Sequence, residues 1–132
     1  MSEHAVDLLG EVVAALADLE REFGGVAVQP AGDGGAYAII DGIEIGPRWE
    51  PSPIALDFLI PSNFPYAYIY PFYTEPPLQR LDGGSWPSAL QRVNWRGREM
   101  TQISLRPNRW QPQHENASSL VYLVQHWFCD LA

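Results

Sequence analysis

The chain has 132 residues, of which 46% are hydrophobic and 18% charged, so it suits a single globular domain over residues 1–132 and is too apolar for a disordered chain. Its formal net charge of −8 argues against binding to a nucleic-acid backbone, because that requires a basic surface. The sequence has no signal peptide and no apolar run near the roughly 20 residues of a membrane helix, which predicts a cytoplasmic protein with no membrane partner.

The first predicted element is a helix over residues 3–23. Apolar residues recur in it at spacings of three and four, which predicts one face packed on a sheet. The residues of this stripe are Val6, Leu9, Val13, Leu16, Leu19 and Phe23. Gly24 and Gly25 should end the helix, because glycine readily adopts positive φ.

Four strand candidates follow, joined by short connections. They cover residues 26–29, 36–45, 54–60 and 67–73, and Asp41-Gly42 in the second is a candidate for a tight hairpin turn. Residues 54–60 alternate as expected of a strand with one buried face. The short connections favour an antiparallel meander over a parallel sheet.

The periodicity is lost between residues 74 and 100, where prolines, glycines, Trp86 and Trp95 predict a long ordered loop. A last helix is predicted over residues 116–131. Its predicted buried face consists of Leu120, Leu123, Val124 and Trp127. The fold class predicted is therefore α+β, with an N-terminal helix on a four-stranded antiparallel meander, a long irregular loop and a C-terminal helix.

Four short motifs occur in the order typical of one known family. They are Ile45-Gly46-Pro47, residues 59–65, Tyr70-Pro71 and Trp110-Gln111-Pro112. These resemble, in turn, the Gly-Pro after the first hairpin strand, the Phe-Pro-x-x-Tyr-Pro segment, the proline-rich entry to the fourth strand and the Trp-Ser-Pro of ubiquitin-conjugating enzymes. The chain is thus similar to the ubiquitin-conjugating-enzyme (UBC) superfamily, and this resemblance implies a UBC-like fold.

The sequence departs from this family at the catalytic site. In ordinary members a His-Pro-Asn tripeptide precedes an Ile-Cys-Leu, whose cysteine carries ubiquitin as a thioester. The chain has neither motif, and its nearest match is Ile103-Ser104-Leu105. The resemblance therefore implies Ser104 at the place of the cysteine, although counting back from Trp110 would put Gln102 there. The one cysteine, Cys129, is expected to be a small packed hydrophobe.

The stretch from Ser104 to Trp110 is similar to divergent bacterial members that occur in ubiquitin-like conjugation operons, some of them linked to antiviral defence. All eight basic residues of the chain are arginine. A GC-rich genome explains this, and so does a need to escape modification by a lysine-modifying pathway. The resemblance implies two partners, a ubiquitin-like protein and a ubiquitin-activating-enzyme-like protein.

Two functions remain open at this point. The first is a transferase that carries the ubiquitin-like protein as an oxyester on Ser104. The second is a catalytically inactive binding module that recruits the ubiquitin-like protein, its activating enzyme or a peptide. The residues proposed for peptide binding are Tyr66, Tyr68, Tyr70 and Tyr73.

A serine hydroxyl becomes a good nucleophile only beside a base and an oxyanion donor. The candidate bases are His114, His126 and the nearby acids, although His126 beside Trp127 is expected to be structural. The candidate donors are Asn94, Asn108, Arg106 and Arg109. The predicted catalytic residues are Ser104, His114 and Asn108. The alternative is a structural role, in which Ser104 ends a strand and its hydroxyl is hydrogen-bonded to the backbone. The predicted binding residues around it are Trp110, Arg106, Arg109 and Trp95. Three scattered histidines and one cysteine lack the spacing of metal ligands, so no metal and no cofactor is predicted.

Overall fold

A computed structural model describes residues 9–75 and 78–130 of the chain. The elements in chain order are α1 (Gly10–Phe23), β1 (Ala27–Pro30), β2 (Ala36–Ile43), β3 (Trp49–Glu50), β4 (Ile54–Ile60), β5 (Phe72–Thr74), β6 (Gln79–Arg80), β7 (Leu90–Trp95), β8 (Arg98–Ile103) and α2 (Ala117–Asp130). Val6 and the predicted start of the first helix lie outside the described residues. Neither described helix has the length and apolar character needed to cross a membrane.

The strands form one large sheet and one small one. The large sheet has six strands in the order β1-β2-β4-β5-β8-β7, with antiparallel neighbours throughout, and β3 pairs with β6 in a separate two-stranded sheet. The predicted α+β class, with a helix at each end of an antiparallel sheet, is confirmed. The predicted count of four strands is wrong, because β7 and β8 extend the sheet.

The β7–β8 hairpin lies where the sequence predicted irregular loop. Trp95 pairs with Arg98, so the turn contains only Arg96 and Gly97. Both have positive φ, 51° and 84°, as the two-residue turns that match strand twist require. Arginine rarely adopts this conformation, and the polar residues of β7 hide its alternation, so neither the turn nor the strand was recognisable.

Two other strand predictions need correction. β2 runs through Asp41-Gly42 without a hairpin, because the pairing register shifts between Ile40 and Ile43 and Gly42, with a φ of 76°, absorbs the irregularity. Only residues 72–74 of the tyrosine-rich segment join the sheet as β5. Pro71 precedes them and has no N–H to donate to a ladder.

The two helices cover one face of the large sheet. Ala38 and Ile40 of β2 and Leu56 and Phe58 of β4 point into this core, while the intervening residues lie on the helix-free face. The buried apolar residues of the helices are Val12, Ala15, Leu19, Leu120, Val121, Val124 and Phe128. The predicted stripe of the first helix is therefore rotated, because Leu9 and Val13 are 50% and 45% exposed.

A buried carboxylate joins the two helices. Asp18 of α1 accepts a hydrogen bond of 3.0 Å from the backbone N–H of Ser118 in the first turn of α2, and one of 2.7 Å from Arg21. Asn116 and Ser119 cap the same helix end with reciprocal side-chain to backbone bonds. Because the free N–H groups of a helix start attract negative charge, Asp18 fixes α2 against α1.

Candidate functional site

Ser104 lies directly after β8, next to the end of the loop that precedes β7. Its backbone N–H donates to the Ala89 carbonyl at 2.8 Å, and its hydroxyl accepts a bond of 3.0 Å from the Gln102 side-chain amide. The side chain is half-buried. Ser104 and Gln102, the two candidates for the place of the family's cysteine, are thus in direct contact.

The loop before β7 is held by its own contacts. Arg80 pairs with Asp82 at 2.7 Å and donates to the Ser85 carbonyl at 2.9 Å, and the Trp86 indole donates to the Leu78 carbonyl at 3.1 Å. Of the loop predicted over residues 74–100, residues 81–89 form the long irregular part, and much of the rest belongs to strands. Since this loop ends at Ala89, it fixes the backbone beside Ser104.

The structure does not bring His114 to Ser104. His114 is exposed in the turn before α2, where its backbone N–H donates to the Gln111 carbonyl at 2.9 Å. Among the described residues, the Ser104 hydroxyl has no histidine or carboxylate partner. A serine in this setting keeps its proton and is a poor nucleophile.

A groove of about 660 Å³ lies between residues 107–109 and the exposed side of α2. Its lining residues are Pro107, Asn108, Arg109, Glu115, Ser119, Leu120, Tyr122, Leu123 and His126. The groove brings the predicted residues Asn108 and Arg109 together with His126, which sequence reasoning had assigned a structural role. Leu123, predicted to be on the buried face of the helix, is instead half-buried and forms part of the groove floor.

Some polar groups of the groove already have hydrogen-bond partners within the protein. The Glu115 carboxylate accepts the Gln111 backbone N–H at 2.8 Å, and the Tyr122 hydroxyl donates to Glu22 at 3.2 Å. Loss of hydration and the adjacent Glu22 carboxylate raise the pKa of the Tyr122 phenol, so it stays a neutral donor. Arg109, by contrast, is exposed and makes no ion pair with the described residues. Its guanidinium is therefore available for an anionic ligand.

Trp110 has a structural role. Its indole N–H donates to the Pro65 carbonyl, and its ring contacts Phe64 and Tyr68 at centroid distances of 6.0 and 6.2 Å. These contacts anchor the segment 105–110, which forms one wall of the groove. Arg106 lies 4.5 Å above the Tyr70 ring in the same segment.

Trp95, the other predicted binding residue, is separate from this site. It lies at the opposite end of β7 from Ala89, stacked on Tyr73 at 3.9 Å and edge-on to Tyr37 at 5.9 Å. The two-residue turn after it sends the chain back at once. Trp95 therefore packs on the helix-free face of the sheet, away from Ser104.

Two arginines beside Trp95 complete a cluster that we call the hairpin latch, residues 95–98. Arg98 pairs with Asp57 at 3.0 Å and with Glu75 at 2.7 Å. Arg96 lies 3.7 Å above the Tyr37 ring and donates to Gln29 of β1 at 3.0 Å. The hairpin tip thus reaches across the helix-free face to the far edge strand.

Asp57 is the buried acid of this latch and is 3% exposed. Burial raises the pKa of its carboxyl, although Trp95, Arg98 and Arg96 act in the opposite direction. The attraction of Arg98 therefore does not fully offset the loss of hydration.

Cys129 is exposed in the last turn of α2, with its sulfur 3.7 Å from the Glu44 carbonyl. The prediction of a packed cysteine is therefore wrong, because the buried side of the helix at this end is occupied by Phe128 and the next residue, Cys129, lies on the solvent side. Among the described residues, no group of three or more histidine, cysteine, aspartate or glutamate side chains is arranged to hold a metal ion.

In chain order, one helix precedes the antiparallel sheet and one follows it, and Trp110-Gln111-Pro112 leads into the second helix. This arrangement defines a UBC-like protein. The chain matches the model of prokaryotic E2 family E over residues 21–130, most of its length, and it belongs to that family. No curated protein and no solved structure matches it significantly. Membership of this family makes the chain a component of bacterial ubiquitin-like conjugation that is similar to ubiquitin-conjugating enzymes, which are also called E2 enzymes.

Proposed function

We propose that the chain serves a bacterial conjugation pathway as a binding component, which holds the C-terminal tail of a ubiquitin-like protein without forming a covalent bond to it. The observation that carries this proposal is the groove of about 660 Å³ lined by Arg109, which has no ion-pair partner within residues 9–75 and 78–130. A tail of this kind is extended and ends in a carboxylate. The groove offers an apolar floor for the chain and a guanidinium for its end.

The floor and the rim supply different parts of the binding energy. Pro107, Leu120 and Leu123 give apolar surface, and burial of such surface is worth roughly 25 cal/mol per Å². Arg109 and Asn108 supply N–H donors that select for the carboxylate and fix its position. The walls are preorganised, because Trp110 anchors one of them and Asp18 fixes the helix that forms the other.

The surroundings of Ser104 favour binding over catalysis. Its hydroxyl contacts a neutral amide instead of a base, so nothing among the described residues removes its proton. Cys129 lies in the last turn of α2, so it is not in the segment where ordinary ubiquitin-conjugating enzymes carry their catalytic cysteine.

Binding should be measured by titration calorimetry with a bacterial ubiquitin-like protein and with a form of it that lacks its last residues. We expect only the full-length form to bind, and we expect Arg109→Gln to weaken binding by about tenfold. Arg48→Gln removes the same charge elsewhere and should have no effect. Equal binding of the tail-deleted form would contradict the proposal.

The second candidate function is oxyester formation on Ser104, and the position of this residue directly after β8, where its side chain is only half-buried, favours it. In this reaction the serine oxygen attacks the thioester on the activating enzyme. The new oxygen–carbon bond replaces the carbon–sulfur bond, and the hydroxyl proton ends on the departing thiolate. The base would have to come from the partner enzyme.

The two functions give different results with the activating enzyme and ATP. An oxyester on Ser104 would survive reducing agent, break in hydroxide and disappear in Ser104→Ala. Tail binding without any adduct would support the binding component. An adduct that Ser104→Ala abolishes would replace this proposal with the transferase.

A further inference from the structure

A second surface of the molecule combines one exposed and two half-buried tyrosine rings with an arginine that makes no ion pair with the described residues. It consists of Tyr66, Tyr68, Tyr70 and Arg106, and we call it the Tyr–Arg106 surface. We propose that this surface binds an acidic, extended segment of a partner protein. The proposal goes beyond tail binding in the groove and does not depend on it, because none of these four residues lines the groove.

The rings of this surface are held in place from below. Tyr68 contacts both Tyr70 and Trp110 edge-on, at centroid distances of 6.4 and 6.2 Å, and Trp110 is in turn bonded to the Pro65 carbonyl. Tyr66 is 80% exposed. An extended segment would therefore meet two rings, Tyr68 and Tyr70, that are already held in place, and ordering these two on binding would cost little entropy.

Arg106 is placed to receive an anion. Its guanidinium lies 4.5 Å above the Tyr70 ring, and it makes no ion pair with the described residues. An arginine that rests on an aromatic face keeps N–H donors free at its edge for a carboxylate. Arg98 shows the contrast, because Glu75 and Asp57 already occupy its donors.

The charge around the surface points to an acidic partner. Residues 61–73 and 101–114 contain no aspartate or glutamate, in a chain that has 16 of them. The contacts of Trp110 with Phe64 and Tyr68 bring these two segments together. Of the acids that approach these segments, Asp57 lies beside Tyr73 and is paired with Arg98, whereas Glu11, Asp18 and Glu115 line a small cavity on the Pro65 side. The surface is therefore locally positive, which attracts negative charge and repels basic segments.

The net charge of −8 decides between two kinds of anionic partner. A nucleic acid presents a continuous row of phosphates, which the rest of the chain would repel. An acidic peptide presents a few carboxylates on a narrow chain and needs positive charge only where it touches. Extended peptides also suit this surface, because aromatic rings can pack against the prolines and the backbone of an extended chain.

The proposal is tested with a fluorescent peptide of alternating glutamate and proline, ten residues long, followed by anisotropy. We expect binding that weakens as salt is added, while the glutamine–proline analogue does not bind. Arg106→Gln should weaken binding by about tenfold, and Arg106→Lys should restore part of it. Arg92→Gln is the matched control, because Arg92 lies 5.8 Å above the Trp86 ring and carries the same charge.

Backbone NMR shifts should change at residues 66–70 and 106 when the peptide is added, and unchanged spectra of the free variants would show that they fold. The proposal is overturned if the glutamate peptide does not bind at millimolar concentration, if Arg92→Gln weakens binding as much as Arg106→Gln, or if a thymidine decamer binds more tightly. Unchanged binding of the ubiquitin-like protein to Arg106→Gln would show that the two sites are independent.

Discussion

The hairpin latch lies at the start of β8 and the segment 105–110 lies just after its end. The two regions use their arginines in opposite ways. In the latch, Arg98 has two carboxylate partners and Arg96 has a ring and an amide. In the segment, Arg106 lies over a ring and has no carboxylate partner in the described parts of the chain, and Arg109 lines a groove. The latch uses its charges to hold the fold together, whereas the segment leaves its charges for a ligand. Substitutions at the two places should therefore separate stability from binding.

The largest effect on stability is expected for Trp95→Ala. The substitution removes the ring that stacks on Tyr73 and contacts Tyr37, and the unfolding free energy should fall by about 3 kcal/mol. Urea denaturation measures the loss. Tail binding should persist in the folded fraction. A loss of binding without a loss of stability would place Trp95 in the binding site after all.

Arg98→Ala should cost about 2 kcal/mol of unfolding free energy. It leaves the buried Asp57 carboxylate without its closest cation, but Arg98 is half-exposed, so the cost falls below that of breaking a fully buried pair. Arg92→Ala is the control in the same hairpin, since its carboxylate partner Glu99 lies 3.9 Å away. Equal losses for the two variants would mean that the latch contributes nothing specific.

Asp57→Asn should change stability by less than about 1 kcal/mol at pH 7, in either direction. Burial raises the pKa of Asp57, so its folded form binds protons more readily than its unfolded form. Its contribution to stability therefore increases as the pH falls from neutral through this raised pKa. The asparagine variant should lack this increase in urea titrations between neutral and mildly acidic pH. An identical pH profile would show that Asp57 does not titrate in that range.

The smallest effect on stability is expected for Arg109→Gln, within about 0.5 kcal/mol of the unsubstituted chain. Arg109 is exposed and makes no ion pair with the described residues, so its loss removes little from the fold. The same variant should show the roughly tenfold loss of tail binding described above. Thermal unfolding and calorimetry on one preparation would check both statements. A destabilised Arg109→Gln would remove the contrast between the two regions.

The helices, β2 and β4 were predictable, because their apolar residues recur with the period of the element that contains them. The β7–β8 hairpin was not, since its turn depends on a positive φ at Arg96 that arginine rarely adopts. This turn also explains Trp95, which the sequence placed near Ser104 and the fold places at the other end of the hairpin.

The candidate site was predictable only in part. Asn108 and Arg109 were identified, but their partners Tyr122, Leu123 and His126 come from the next helix. The groove between them depends on which side of α2 the sheet leaves uncovered. Helical spacing alone assigned Leu123 to the core, because it cannot tell the edge of a buried stripe from its centre.

The bond between Asp18 and the Ser118 backbone joins residues 100 positions apart. On the ribosome, the acid that fixes α2 is therefore made long before the helix that it holds. At about 5–20 residues per second, that interval is roughly 5–20 seconds. During this time Asp18 stays hydrated and the apolar side of α1 has only the growing sheet to cover it. The wall of the groove can take its final position only after residue 118 has emerged, so binding competence should appear late in synthesis.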